Sequence, residues 1–366
     1  MEIPPRRCRI LPSLMGFVTL DRRHGASVLR KDAMIIPASR GIARLRHLDA
    51  FLEERGDVAV GWGMKPSGLR ARAIAKRLNI PFRLVEDGFL RSVERDGPPL
   101  SLIIDDEGVY YDASGASRIE RLIATPVDEQ QRQRARALIA AWQNAGVSKY
   151  NHAPEYQGEL PDRYVLAVDQ TMGDEAIAGG QAEQESFDRL LEAALAARPD
   201  CMIVAKVHPD IFTHGKKGYF DLRKLGNHPR IRIIAESCHA VRLIRQAQAI
   251  FTVTSQMGFE GLIWGKPVHC FGMPFYAGWG LTRDVLAVPH RRFPIPLEQL
   301  VHGALIEGPR YVDPKTGRRC EVEDALALVV HERRALENQW LAKGYSPYRP
   351  SLIKTIKNYF TQRRPA

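Results

Sequence analysis

Apolar positions in this chain fall into short runs separated by longer amphipathic stretches. Runs ending near residue 36, at 58–62 and at 81–85 read as strands, and the helical periodicity of 42–54 and 67–78 fills the gaps between them. This βαβα alternation predicts a parallel, doubly wound sheet. Residues 102–105 and 109–111 flank Asp106-Glu107-Gly108 and read as a hairpin, and 128–144 reads as a polar helix. The segment 145–162, rich in Asn, Pro, Gly and Tyr, reads as a linker. Alternation then restarts, with strands expected at 164–168, 202–207, 231–234, 249–253 and 268–271. Helices are expected at 185–197, 240–247, from Ser255 to about Trp264, at 297–306 and at 321–343. The fold class is therefore α/β, with two successive βα domains and a cleft between them. The expected division is 1–150, 151–320, and C-terminal helices over 321–366 that pack back on the first domain.

Composition narrows the classes. A chain of 366 residues with 45% hydrophobic content is long enough for two ordinary α/β domains. No apolar run approaches the roughly 20 residues that span a bilayer. Pro12 interrupts the modestly apolar stretch 10–20, so a signal peptide is not expected. The five cysteines, Cys8, Cys201, Cys238, Cys270 and Cys320, are scattered without a C-x-x-C pair. That pattern suits reduced cytosolic thiols better than disulfides or a zinc site. The net charge of +11 favours anionic partners. Arg and Lys are dispersed and lack interleaved aromatics, so nucleic acid is not expected as a partner. The tail 351–364 sets Leu352, Ile353, Ile356, Tyr359 and Phe360 against Lys354, Lys357, Arg363 and Arg364. It suits a membrane-surface helix or a terminal helix docking on its own domain.

Four predicted strand ends carry polar clusters, and all can face one cleft. The first, Glu86-Asp87-Gly88-Phe89-Leu90-Arg91-Ser92, offers two carboxylates for acid/base work, or a turn with a surface Glu–Arg pair. The second, Asp169-Gln170-Thr171-Met172-Gly173-Asp174, offers a nucleophile, a base or a ribose anchor, or an Asx-turn and helix cap. In the third, Lys206-Val207-His208-Pro209-Asp210, Lys206 and His208 alternate along a strand and would project to one side as a cationic spot for phosphate or carboxylate. The fourth runs from Thr254-Ser255-Gln256-Met257-Gly258-Phe259-Glu260 into a loop carrying Phe275, Tyr276 and Trp279 among glycines. Ser255 and the backbone amides of a helix N-terminus suit a phosphate, with simple N-capping as the plainer role, and Glu260 suits ribose hydroxyls. No P-loop, dinucleotide fingerprint, H-E-x-x-H or D-x-D motif is present.

Taken together and in this order, these motifs resemble the KpsC-type capsular polysaccharide biosynthesis proteins, the most specific element being the aromatic loop Pro274-Phe275-Tyr276-Ala277-Gly278-Trp279-Gly280-Leu281-Thr282-Arg283-Asp284. The resemblance runs from about residue 34 to about 325 in a single-module form, whereas many members carry two modules in tandem. It implies two Rossmann-like domains in a GT-B-like arrangement. It also implies a retaining β-Kdo transferase that uses CMP-Kdo, a CMP-activated acidic eight-carbon sugar, and acts by double displacement. On that resemblance Asp174 is the nucleophile, Glu86 the acid/base and His208 a catalytic stabiliser of the phosphate or donor carboxylate. Lys206, Arg91, Gln170, Ser255, Gln256, Gly258, Glu260, Tyr276 and Trp279 would bind substrate. No metal or other cofactor is implied. Implied partners are CMP-Kdo, a glycolipid or Kdo-containing acceptor, the inner-membrane surface and capsule assembly proteins, with the protein cytoplasmic and peripheral on the inner membrane. A GT-B enzyme using another nucleotide sugar, or a non-catalytic capsule export protein, are the competing readings.

Overall fold

The computed structural model describes residues 9–10, 33–94, 97–213 and 215–344; the basic tail at 351–364 lies outside them. In chain order the first half forms β1 (Arg9–Ile10), β2 (Met34–Pro37), β3 (Val58–Trp62), β4 (Phe82–Asp87) and β5 (Ser101–Asp105). The second half forms β6 (Tyr164–Val168), β7 (Met202–Lys206), β8 (Ile231–Ile234), β9 (Ile250–Thr252), β10 (Val268–Cys270) and β11 (Arg283–Asp284), and the chain then adds β12 (Pro309–Val312) and β13 (Arg319–Cys320). Two sheets result, in the orders β1-β2-β3-β4-β5-β12-β13 and β11-β10-β9-β6-β7-β8. The second sheet is parallel throughout. Its central strand, Tyr-Val-Leu-Ala-Val, is buried at every position, as a strand covered by helices on both faces requires. The expected architecture of two Rossmann-like α/β domains is the one found.

Two expectations are corrected. Residues 109–111 form no strand; β5 instead pairs antiparallel with β4, Leu84 opposite Asp105. β4 and β5 are thus the paired strands, and the expected partner strand is released to place Tyr110 and Tyr111 at the cleft. The expected second domain also hands the chain back before residue 320. Pro309–Val312 pairs antiparallel with β5 and extends the first sheet. The helix Val322–Ala342 follows and packs against β12 and the helix Glu129–Ala145.

The two halves share one core. Phe89, just past β4, stacks on Phe275 from the aromatic loop with ring centroids 4.3 Å apart, and Phe259 and Tyr110 close around the pair. The segment between the domains is irregular but pinned. Glu155 accepts from the Arg333 guanidinium at 3.0 Å and pairs with the buried His239 ring at 2.7 Å, and Arg333 also donates to the Gly146 carbonyl at 2.8 Å. These contacts hold the carboxyl ends of both sheets against one opening. Among the described residues no helix is long and apolar enough to cross a membrane.

Candidate active site

The opening is a cavity of about 820 Å³ whose walls come from both sheets. On the first wall Glu86, half-buried near the end of β4, accepts a 3.0 Å hydrogen bond from the Tyr111 hydroxyl. That hydroxyl itself accepts from the Met64 backbone N–H at 3.1 Å. Gly63 makes the pairing possible: its φ is +34°, and a Cβ there would lie 1.9 Å from Glu86 Oε1 and 2.6 Å from the Tyr111 hydroxyl. Burial pushes the Glu86 carboxyl up to about 7, with Tyr111, Lys149 and Lys65 pulling it back and Asp87 adding to the rise. Sequence reasoning missed Tyr111 and Gly63, because 109–111 read as a strand and a lone glycine after Trp62 carries no signal. Asp87 binds Arg91 at 3.0 Å, and Arg91 also donates to the Ser92 hydroxyl and the Gly97 carbonyl. Arg91 lines the cleft, yet these bonds tie it to its own loop.

On the second wall the two aspartates separate. Asp169 is buried, and its Oδ1 accepts the N–H groups of Gln170, Tyr219 and Phe220 at 2.9, 3.0 and 3.3 Å. Burial pushes its carboxyl up to about 6, against those three hydrogen bonds. Asp174 is exposed at the cleft and caps the short helix Glu175–Gly179 by accepting from Ala176 N–H at 3.0 Å. Gln170 braces the ends of β6 and β9: its Oε1 accepts from Thr254 N–H at 2.9 Å while its Nε2 reaches the Thr254 hydroxyl at 3.0 Å and Asp174 Oδ2 at 3.4 Å.

The Lys206–His208 pair is not the shared cationic spot the alternation predicts. Lys206 is buried, and its ammonium donates to the carbonyls of Val207 and Glu236 at 2.8 and 3.1 Å, because a cation taken out of water must find acceptors. His208 is exposed beside it. Desolvation in the cleft lowers its pKa, Lys206 and Lys216 adding to the effect while Asp210 and Asp174 oppose it. Its Nδ1 accepts the Asp210 N–H at 3.2 Å, so the neutral ring carries its proton on Nε2.

The fourth cluster divides into cleft-lining and structural parts. Ser255 caps the helix Gln256–Ile263, accepting from Met257 N–H at 3.3 Å, and its carbonyl accepts from the Tyr276 hydroxyl at 2.6 Å. Gln256 donates to the Phe89 carbonyl at 2.9 Å, joining the two domains, while its Oε1 is buried without a hydrogen-bond partner. Glu260, one turn on, is buried; its Oε1 accepts from the Ser148 hydroxyl and Lys149 N–H at 2.9 and 3.0 Å, and its Oε2 has no partner. Tyr276 and Trp279, expected in the substrate site, are instead fully buried. The Trp279 indole donates to the Phe275 carbonyl at 2.8 Å. The loop is an apolar plug between the domains, and of its aromatics only Phe275 reaches the cleft. Gly258 serves that plug, since a Cβ there would lie 2.2 Å from the Tyr276 hydroxyl.

Burial pushes Glu260 from 4.5 up to about 7. A carboxyl whose folded pKa is raised stabilises the fold below its unfolded pKa and loses that contribution as pH climbs through the folded one. The replacement Glu260→Gln keeps the Oε1 acceptor and cannot ionise. Its stability relative to wild type is expected to improve between pH 5 and pH 8, by up to roughly 3 kcal/mol. Denaturant unfolding at the two pH values measures it; an equal difference at both would contradict the burial argument.

Residues 57–157 and 132–311 match the family described as capsule polysaccharide biosynthesis protein. The chain belongs to that family. It is 35% identical over 94% of its length to the capsule polysaccharide modification protein LipA of Neisseria meningitidis serogroup A, of which it covers 52%. It is 33% identical over 82% of its length to the lipopolysaccharide-processing protein LpsZ of Rhizobium meliloti, covering 70% of that protein. The chain thus spans about half the length of its meningococcal relative. Among solved structures, the β-Kdo 2,4 transferase of Thermosulfurimonas dismutans KpsC superimposes with a TM-score of 0.74 at 36% identity, covering 81% of this chain and 97% of that one. The β-Kdo 2,7 transferase from the same source gives a TM-score of 0.59 at 29% identity, covering 78% and 88%. The family that the four strand-end motifs resemble is the family found.

Proposed function

We propose that the chain is a retaining β-Kdo transferase of capsule biosynthesis that moves Kdo from CMP-Kdo to a lipid-linked or Kdo-terminated acceptor at the cytoplasmic face of the inner membrane. The observation that carries this reading is the position of Glu86 and Asp174 in one cleft, on walls from different domains, in a chain 36% identical to a β-Kdo 2,4 transferase. The Asp174 carboxylate attacks the anomeric carbon, the bond from that carbon to the phosphate oxygen breaks, and CMP leaves with the electron pair. The acceptor hydroxyl then attacks the same carbon, Glu86 takes its proton, and Asp174 is released. His208 offers its Nε2–H to the leaving phosphate or the donor carboxylate. The partnerless oxygens of Gln256 and Glu260, four residues apart on one helix face, suit the hydroxyls of the nucleoside.

Incubation with CMP-Kdo and a Kdo-bearing glycolipid is expected to release CMP in step with acceptor extension. A thermal shift with UDP but none with CMP would overturn the donor assignment. The pH dependence follows from Glu86. As a base it must be ionised, so transfer is expected to rise as pH passes about 7. Tyr111→Phe removes a hydrogen bond that favours the carboxylate, so that limb moves to higher pH. The rate at pH 7 then drops several-fold and recovers in more alkaline buffer. A Tyr111→Phe profile that falls evenly at every pH would assign Tyr111 a purely structural role.

A further inference from the structure

The helix Pro66–Leu78 begins one residue after Lys65, which lines the cleft. Ser67, Gly68, Ala71 and Ala75 face the first domain and are buried. The opposite face carries Pro66, Leu69 and Ala73 at i, i+3 and i+7, an exposed apolar stripe. Leu69 is 56% exposed, the most exposed large hydrophobic side chain among the described residues, and Met64, 38% exposed, extends the stripe to the cleft rim. Exposed Arg70, Lys76 and Arg77 flank it, and the helix contains no acidic residue. Arg40, Arg44 and Arg46, also exposed, lie on and just beyond the helix Arg40–Ala43, which Arg70 reaches through a 3.0 Å bond to the Ala38 carbonyl just ahead of it.

An ordinary surface helix mixes acids with bases and turns its leucines inward. A bare apolar stripe between basic flanks is the pattern of a helix lying in a bilayer interface, where apolar side chains enter the acyl boundary and cations meet lipid phosphates. We propose that the outer face of the helix Pro66–Leu78, with Arg40, Arg44 and Arg46, docks the protein on an anionic bilayer. The charge complementarity is one-sided, and the stripe lacks the aromatic platforms that single-stranded nucleic acid uses. Docking of this face sets Met64 and Lys65 at the headgroup layer. A lipid-linked acceptor then reaches Glu86 without leaving the bilayer; this consequence rests on the transferase reading, whereas the docking itself does not.

The test is sedimentation of the full chain with vesicles of phosphatidylcholine alone or mixed with phosphatidylglycerol. Binding is expected only to the anionic vesicles, and to weaken as salt rises. The variant Leu69→Ser/Lys76→Glu/Arg77→Glu, altered only at exposed positions, is expected to bind at least about tenfold more weakly. Its melting curve and its CMP release with a soluble acceptor are expected to match wild type. Unchanged vesicle binding by that variant would overturn the proposal and move the contact elsewhere on the chain, as would wild-type protein that ignores anionic vesicles or prefers nucleic acid to them. Failure of CMP release in wild type and variant alike would sink the transferase reading and leave the vesicle result standing.

Discussion

Asp174→Asn is expected to lower transfer by about 10⁴-fold or more, the scale on which a lost nucleophile acts. The melting transition should stay in place. Asparagine caps a helix as well as aspartate does, so the bond from Ala176 N–H survives. Asp169 should behave in the opposite way. Its Oδ1 collects three backbone N–H groups from two segments of chain. Asp169→Ala leaves those buried donors unpaired at a cost of about 3 kcal/mol or more, so it is expected to unfold early. Asp169→Asn keeps the acceptor oxygen and separates scaffold from chemistry. If Asp169→Asn folds normally and is inactive while Asp174→Asn transfers at full rate, the two roles must be exchanged.

The second large effect is expected at a residue with no side chain. In Gly63→Ala the new methyl lies on the Glu86 carboxylate at 1.9 Å and on the Tyr111 hydroxyl at 2.6 Å, in a backbone conformation with φ of +34°. Glu86 has to rotate away, and its bond to Tyr111 breaks. Transfer is expected to fall by about 10²-fold or more through loss of the positioned base. Stability falls by about 1–2 kcal/mol from the left-handed backbone alone. Steady-state rates and denaturant unfolding measure the two separately. A Gly63→Ala protein with wild-type rate and wild-type pH profile would mean that Glu86 does not act where it sits.

The parts of this architecture that could be read directly are those where local pattern and tertiary role coincide. Tyr164–Val168 is apolar because it is buried on both faces, and its run announces a central parallel strand. The polar residues that follow such runs lie at carboxyl ends of strands, which is why four separated motifs could be assigned to one cleft. What failed depends on contacts distant in sequence. Tyr110 is apolar because it meets Phe89 and Phe275, and Val109 because it packs with Leu84 and Tyr111, and nothing local distinguishes either from strand pairing. The aromatics at 275, 276 and 279 have the composition of a ligand cage, but they fill the seam between two domains, an apolar demand invisible until both domains are present. Lys206 and His208 alternate as a strand requires, yet one is drawn inward by carbonyls at the strand end and the other is left at the cleft. Glu260 reads as a ribose anchor, and half of it is instead the fastening of the interdomain segment at Ser148 and Lys149.

The most direct test of double displacement through Asp174 is mass spectrometry of Glu86→Gln after mixing with CMP-Kdo. Without its base the protein is expected to release CMP once, retain one Kdo residue and stall there. Digestion should place the added mass on the peptide containing Asp174. CMP release with no mass gained, or a Kdo residue carried on Asp169 or any other side chain, would contradict that route.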